Sequence, residues 1–220
     1  MTTIINSLQV PTSPNLPIAP KDYEPRYHDQ TNNVLRLYFN RLGVGGALGA
    51  LLGPGGGQFL NIPHGDFQCR TTQTQTTINT PKLIALDTTN YALGMYRVIG
   101  DGIHVEQPGI YNIQFSAQLT NNAVQDRDAD IWLRKNGVDV PYSASVVTVP
   151  STHGGIAGHY VVAANFYIDL QAGDYIEFWW AANDLAVQIE TLPPITTPFT
   201  SPGSPGFVVT VTFVSTLTTT

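Results

Sequence analysis

Hydrophobic and polar residues alternate most regularly in "PGIYNIQFSAQL", Pro108 to Leu119. Tyr111, Ile113, Phe115, Ala117 and Leu119 take every second place, and Asn112, Gln114, Ser116 and Gln118 fill the gaps. Successive side chains of an extended chain point to opposite faces, so the pattern predicts a strand with one buried and one open face. The same period recurs from about Gly65 to the C-terminus. It predicts strands at Thr71–Ile78, Lys82–Leu86, Tyr96–Ile99, Ile103–Glu106 and Gly109–Leu119. Further strands are predicted at Ala129–Lys135, Val138–Thr148, Tyr160–Leu170, Asp174–Ala182, Val187–Leu192 and Phe207–Ser215. Turn residues separate them: Gly100-Asp101-Gly102, Pro108-Gly109, Asn136-Gly137, Ala172-Gly173-Asp174 and the run Pro193–Gly206. Asn-Gly between alternating runs is a strong hairpin signal, because both residues tolerate positive φ. About ten short strands at this spacing predict an all-β, antiparallel jelly-roll sandwich over residues 65–220.

The period changes upstream. Residues 1–27 carry prolines at 11, 14, 17, 20 and 25, which fix φ and remove donors, so an extended arm is expected. In residues 28–42, "HDQTNNVLRLYFNRL", Leu35, Phe39 and Leu42 recur at three-to-four spacing beside Tyr38. That predicts one short helix, with Asp29 or Thr31 at its start. A helix of this length needs a surface for its apolar stripe. The chain's own domain, copies of the same helix and a larger assembly all remain open as that surface. Residues 43–64 form a Gly-rich linker with Leu48, Leu51 and Leu52. No Gly-Lys-Ser/Thr ending follows its glycines, so a phosphate-loop reading fails.

Composition narrows the function. Only 12% of the residues are charged and the net charge is −6, so no basic cluster supports nucleic-acid binding. The single cysteine, Cys69, excludes an internal disulfide and reads as a small buried hydrophobe. The N-terminus lacks the pattern of a secretion signal, and no apolar run is long enough to insert into a membrane.

Candidate chemistry is sparse. Asp126, Asp128 and Asp130 offer oxygen ligands at spacing two, a weak calcium candidate without the glycine turn and closing glutamate of a helix-loop-helix site. His153 and His159 flank "GGIAG" and are too few for a metal site; His28, His64 and His104 stand alone. No Gly-x-Ser-x-Gly elbow is present, and Glu177 and Glu190 are not shown by sequence to face one another. The expectation is a protein that is not an enzyme and uses no cofactor.

Asp174–Ala182 differs from the other strands. Ile176, Phe178 and Trp180 alternate with Tyr175, Glu177 and Trp179, so both faces carry aromatic rings. A strand apolar on both sides is expected to be covered on both. A neighbouring subunit or the loop Pro193–Gly206 would supply the second cover, and Tyr167 repeats the pattern more weakly.

Four pieces in order, "PGIYNIQFSAQL", "ADIWLRKNG", "FYIDLQAGDYIEFWW" and "GFVVTVTFVS", resemble the jelly roll of tumour-necrosis-factor-like domains and complement-type globular heads. The resemblance spans about residues 85–215. "TTNYALGMYRV", "NIQFSAQL", "VTVPSTHGG", "GHYVV" and "QAGDYIEFWW" are similar to a bacteriophage version found in virion structural proteins. "YEPRYHDQTNNVLRLYFNRL" resembles a segment preceding such domains in phages of marine bacteria and cyanobacteria. The resemblance implies a homotrimeric particle protein, a capsid decoration or an appendage component, located in the virion. Its subunit interface is expected to use Tyr167, Tyr175, Trp179, Leu35, Phe39 and Leu42, with residues 1–60 meeting other virion proteins. The alternative is a fibre module that binds a host glycan or receptor through the loops Asn121–Asp128 and Pro193–Gly206, with Asn121, Asn122 and Asp126 at the contact.

Overall fold

A computed structural model describes residues 14–18, 20–42, 62–100, 102–215 and 217. The chain divides into two units, Met1–Asn61 and Ile62–Thr220. In the first, α1 runs from Pro25 to Leu42, three residues longer at its start than the apolar spacing predicts. Proline suits a first helical position, because its missing N–H has no partner there and its φ is already helical. Asp29 and Thr31 therefore lie inside the helix rather than at its cap. The less exposed stripe is Tyr27, Thr31, Val34, Leu35, Tyr38 and Leu42, whereas Phe39 is 62% exposed and stands off it. The first half of the arm and residues 43–61 of the expected linker, with Leu48, Leu51 and Leu52, lie outside the described residues; the linker's last residue, His64, already belongs to a strand.

The second unit is a sandwich of two antiparallel sheets. Its strands are β1 (His64–Cys69), β2 (Gln73–Thr74), β3 (Lys82–Leu83), β4 (Thr88–Leu93), β5 (Met95–Val98), β6 (Gly102–Val105) and β7 (Gly109–Asn121). They continue as β8 (Arg127–Lys135), β9 (Val138–Asp139), β10 (Ser145–Val149), β11 (Gly158–Leu170), β12 (Tyr175–Ala182), β13 (Val187–Ile189) and β14 (Phe207–Ser215). In the first sheet β11 lies along one edge of β7, while β14 and β13 share the other; β1 and β4 follow β14. The second sheet runs β10-β8-β12-β6-β5. If β1, β6, β7, β8, β10, β11, β12 and β14 are counted one to eight, the first sheet reads six-three-eight-one and the second five-four-seven-two. That wiring is the jelly roll expected from the sequence.

The core lies between the sheets. Tyr111, Ile113, Phe115, Ala117 and Leu119 are all buried, as their alternation predicts. Phe115 stacks on Phe207 at 5.5 Å and meets Phe178 of the opposite sheet at 5.3 Å, so aromatic contacts tie the layers together. Gly109 opens β7 because a Cβ there would stand 2.3 Å from the Phe213 ring. That ring packs edge-on against Tyr111, whose hydroxyl donates to the Gln107 carbonyl at 2.8 Å.

Asn136 and Gly137 form the expected hairpin turn at φ 52° and 76°. The Asn136 amide then donates to Asp174 at 2.8 Å and accepts from the Tyr175 N–H at 2.9 Å. Two of the family-like pieces, "LRKNG" and "AGDYIEFWW", are thus one hydrogen-bonded corner. Burial pulls the Asp174 pKa upward, but the Gln171 N–H, the Asn136 amide and Lys135 outweigh it and hold the carboxyl below its ordinary value.

Three expectations need correction. Val138–Thr148 is broken, because Pro141 lacks a donor, Tyr142 has φ 61°, and the buried Ser143 hydroxyl accepts the Leu133 N–H instead. Thr71–Ile78 shrinks to β2, because Gln73 and Gln75 turn inward. The Gln73 side chain bonds the Ala85 N–H and C=O, and Gln75 donates to the Trp180 carbonyl. β1 and β4 were outside the predicted set. Three of six residues in β4 are exposed and none is buried, so it offers no apolar alternation.

Candidate functional site

The two sheets present outer faces of opposite character. On the first, β7 points Ile110, Asn112, Gln114, Ser116, Gln118 and Thr120 outward; β14 adds Val208, Thr210, Thr212 and Val214. β11 adds His159, Val161, Ala163, Asn165, Tyr167 and Asp169. Asp169, at one end, is the single side chain in these three rows that is charged when histidine is neutral. Gln114, Ser116, Ala163, Asn165, Val208 and Thr210 line a shallow depression of about 510 Å³ at the middle. Register places Ala163 beside Ser116 and Ser116 beside Val208, so small side chains leave this hollow.

At one end of the face, the buried Thr120 hydroxyl donates to Glu190 Oε2. His159 Nδ1 lies 3.3 Å from Thr120 Oγ and 3.7 Å from Glu190 Oε2. Glu190 follows β13, so three segments of the first sheet meet at this group.

The second outer face is charged and internally paired. Trp179 sits directly across from Trp132, with the Arg134 guanidinium 3.9 Å from its ring centroid. Asp139 accepts from Trp132 Nε1 at 2.7 Å and from Arg134 Nε at 2.5 Å. These bonds, Arg134 first, hold the Asp139 carboxyl below its ordinary pKa. Tyr175 stacks on His104 at 5.0 Å, and His104 on Tyr96 at 5.2 Å. The outward layer of aromatic side chains on β12 is therefore covered by neighbours within its own sheet. Tyr175 and Trp179, expected at a subunit contact, thus have cover from their own chain and stay partly exposed. Tyr167, 63% exposed, stays with the uncharged face.

The other expected site residues separate. Asp126 accepts the Ser151 N–H at 2.8 Å and Asp128 the Thr148 hydroxyl at 2.8 Å. Asp130 is raised in pKa by burial and by the Asp128 charge. Among the described residues no group of three or more His, Cys, Asp or Glu is arranged to hold a metal ion, so the three aspartates form no calcium cage. Asn121 is fully buried, and its amide donates to the Gln125 and Val149 carbonyls. It shapes the loop from inside, whereas Asn122, Val124, Gln125, Asp126 and Asp128 are exposed. Glu177 and Glu190 belong to different sheets and do not face each other. Cys69 is buried beside Gln73, with burial raising its thiol pKa. His153 sits in an exposed turn, and the His64 ring lies 2.8 Å from the Ile62 carbonyl. His28 packs against Tyr23 and Tyr27.

The class these features define is an antiparallel jelly-roll sandwich whose first sheet carries small, mostly uncharged side chains on its β11-β7-β14 rows, with Asp66 of β1 beside Thr210 at their border. No protein-family model matches the chain, and no curated protein matches it in sequence. Among solved structures, the Eiger TNF from S. frugiperda is similar at 8% identity and a TM-score of 0.45, over 72% of this chain and 96% of that one.

Proposed function

We propose that the protein is a homotrimeric structural component of a bacteriophage particle, a capsid decoration or part of a head or tail appendage. In this reading the outer face of the β11-β7-β14 rows meets a sister subunit. One observation carries it: a broad sheet face with small, uncharged side chains, on a chain of net charge −6. Copies that repel each other elsewhere can approach over the centre of these rows without stripping water from an ion, since Asp169 and Glu190 lie at the ends and Asp66 of β1 at the border. Packing three copies into a ring brings different surfaces of neighbours together, so Tyr167 at the β11 edge serves one side of the contact. Leu35 and Leu42, on the α1 stripe, are assigned to packing between copies or to docking on the particle, with Phe39 beside them.

The phage assignment rests on the sequence pieces quoted above. Residues 1–60 are assigned to other virion proteins, and the localisation to the virion. The test is incorporation: full-length protein should enter particles and protein lacking residues 1–60 should not. Equal incorporation of both would reject the tether. A host glycan is the second reading, with Asn122 and Asp126 exposed on the loop Asn121–Asp128 that would meet it together with Pro193–Gly206. Glycan-array binding that survives loss of residues 1–60 would favour recognition over building.

A further inference from the structure

The segment between β13 and β14 is a hairpin with an exposed apolar tip, rooted beside the open hollow of the β11-β7-β14 rows. We propose that this tip, Phe199, enters the hollow of the next copy around the trimer; the proposal rests on the trimer reading.

The hairpin is stiff. Leu192 and Ser204 exchange two backbone hydrogen bonds of 2.9 Å, and Ile195 and Ser201 exchange two more at 3.1 and 2.9 Å. Pro193, Pro194, Pro198, Pro202 and Pro205 restrict the backbone around these rungs, so little freedom is left to lose on docking. At the root, the Gln118 N–H donates to the Gly206 carbonyl at 2.8 Å, and its carbonyl accepts the Glu190 N–H at 2.9 Å. The outward Gln118 side chain donates to Ser204 Oγ and, at 3.2 Å, to the Pro205 carbonyl, which ties the root to the outer side of the sheet. Every residue from Pro193 to Thr200 is exposed, and Phe199 is 63% open to solvent. With Ile195 and Pro198 it makes a run of exposed apolar side chains rather than a lone one.

The hollow has the matching character. Ser116 lies between Ala163 and Val208, and Phe115 and Ala164 add apolar lining. Its volume of about 510 Å³ admits a phenyl ring, and Phe199 of the same chain does not line it. Charge favours the same pairing. No residue from Thr191 to Gly206 is ionisable. The ionisable groups nearest the hollow lie at the borders of the rows. Asp66 of β1 stands beside Thr210 and accepts the Asn90 amide at 2.9 Å, and His64 stands beside Thr212. Asp169 closes one end, and His159 with Glu190 the other. A tip without charge thus meets a hollow without charge, on a chain whose net charge of −6 disfavours most other contacts between copies. Hairpin and hollow are different parts of one surface, so the contact is head-to-tail. In a closed ring every copy gives one tip and receives one.

The test is a cycle of variants in the full chain, read as trimer dissociation by sedimentation. Phe199→Ala removes the tip, and Ser116→Trp fills the hollow. Burial of a phenylalanine ring corresponds to about tenfold to a hundredfold per contact, so each variant should weaken the trimer by that range or more. The double variant should be no weaker than the worse single one, because both changes remove the same contact. Additive losses overturn the proposal while leaving the trimer in place, as does an unchanged trimer in Phe199→Ala. Weakening by Ser116→Trp alone gives the hollow to another part of the sister copy and overturns it too. A wild-type protein that sediments as a single chain overturns the trimer reading and this contact together. An unchanged circular dichroism spectrum separates lost docking from lost folding, and Phe199→Ala decides alone if Ser116→Trp fails to fold.

Discussion

The two outer faces of the sandwich solve the same problem in different ways. The second sheet covers its surplus aromatic side chains itself. Arg134 lies over Trp179, Trp132 is pinned to Asp139, and the rings of Tyr96, His104 and Tyr175 stack across three strands. The first sheet has no such arrangement at its centre. It shows Ser116, Ala163, Asn165 and Val208 around a hollow, without ions to pair. A face rich in rings and charges is complete within one chain, whereas a quiet face of small residues is suited to a partner.

Several substitutions can break this comparison. The largest effect is expected from Ala163→Arg, which places a cation in the hollow and should reduce the trimer to single chains. Val146→Arg, at an exposed position of the second sheet, should leave the oligomer intact. Sedimentation of both separates the faces, and dissociation by Val146→Arg alone would reverse the assignment.

Next comes Trp179→Ala. It removes a half-buried ring, the partner of Trp132 and Arg134, and should cost about 2–3 kcal/mol of folding stability in a denaturant titration while the protein stays trimeric. Loss of the trimer at unchanged stability would restore Trp179 to the interface.

Asp174→Asn weakens the corner between two turns and should cost about 2 kcal/mol. Its pH signature has a definite sign. The folded carboxyl titrates below its ordinary value, so its contribution is present above about pH 4 and is lost as pH falls through the folded value. Melting temperature should therefore decline on acidification below pH 4, and less steeply in Asp174→Asn. The smallest effect, about 0.5–1 kcal/mol, is expected from Arg134→Gln, which removes the cation from the Trp179 face.

Much of the fold is legible in the residues, for identifiable reasons. The alternation from Tyr111 to Leu119 survives because β7 is central and its inner face is entirely core. Asn136-Gly137 specifies its turn through positive φ at both positions. Legibility fails where polar groups do a core residue's work. Gln73 and Gln75 are buried because their amides serve backbone groups of facing segments, which a polarity pattern assigns to solvent. β4 has no buried residue and so no pattern to read.

The candidate site is less legible still. Ser116, Ala163 and Val208 come from three strands far apart in sequence, and each is unremarked alone. The signal that points to them is the absence of Asp, Glu, Lys and Arg throughout β7 and β14. The cross-strand neighbours of Tyr175 and Trp179, His104 and Trp132 with Arg134, are invisible to a one-dimensional pattern. His159 and Glu190 are separated by 31 positions and meet only because β7 carries Thr120 between them.

The central claim is that copies of this chain associate through the uncharged face. Sedimentation equilibrium of the full-length protein at micromolar concentration tests it most directly. The account predicts a single species of three times the 23.9 kDa chain mass, converted to one chain by Ala163→Arg. A wild-type protein that sediments as a single chain would contradict it.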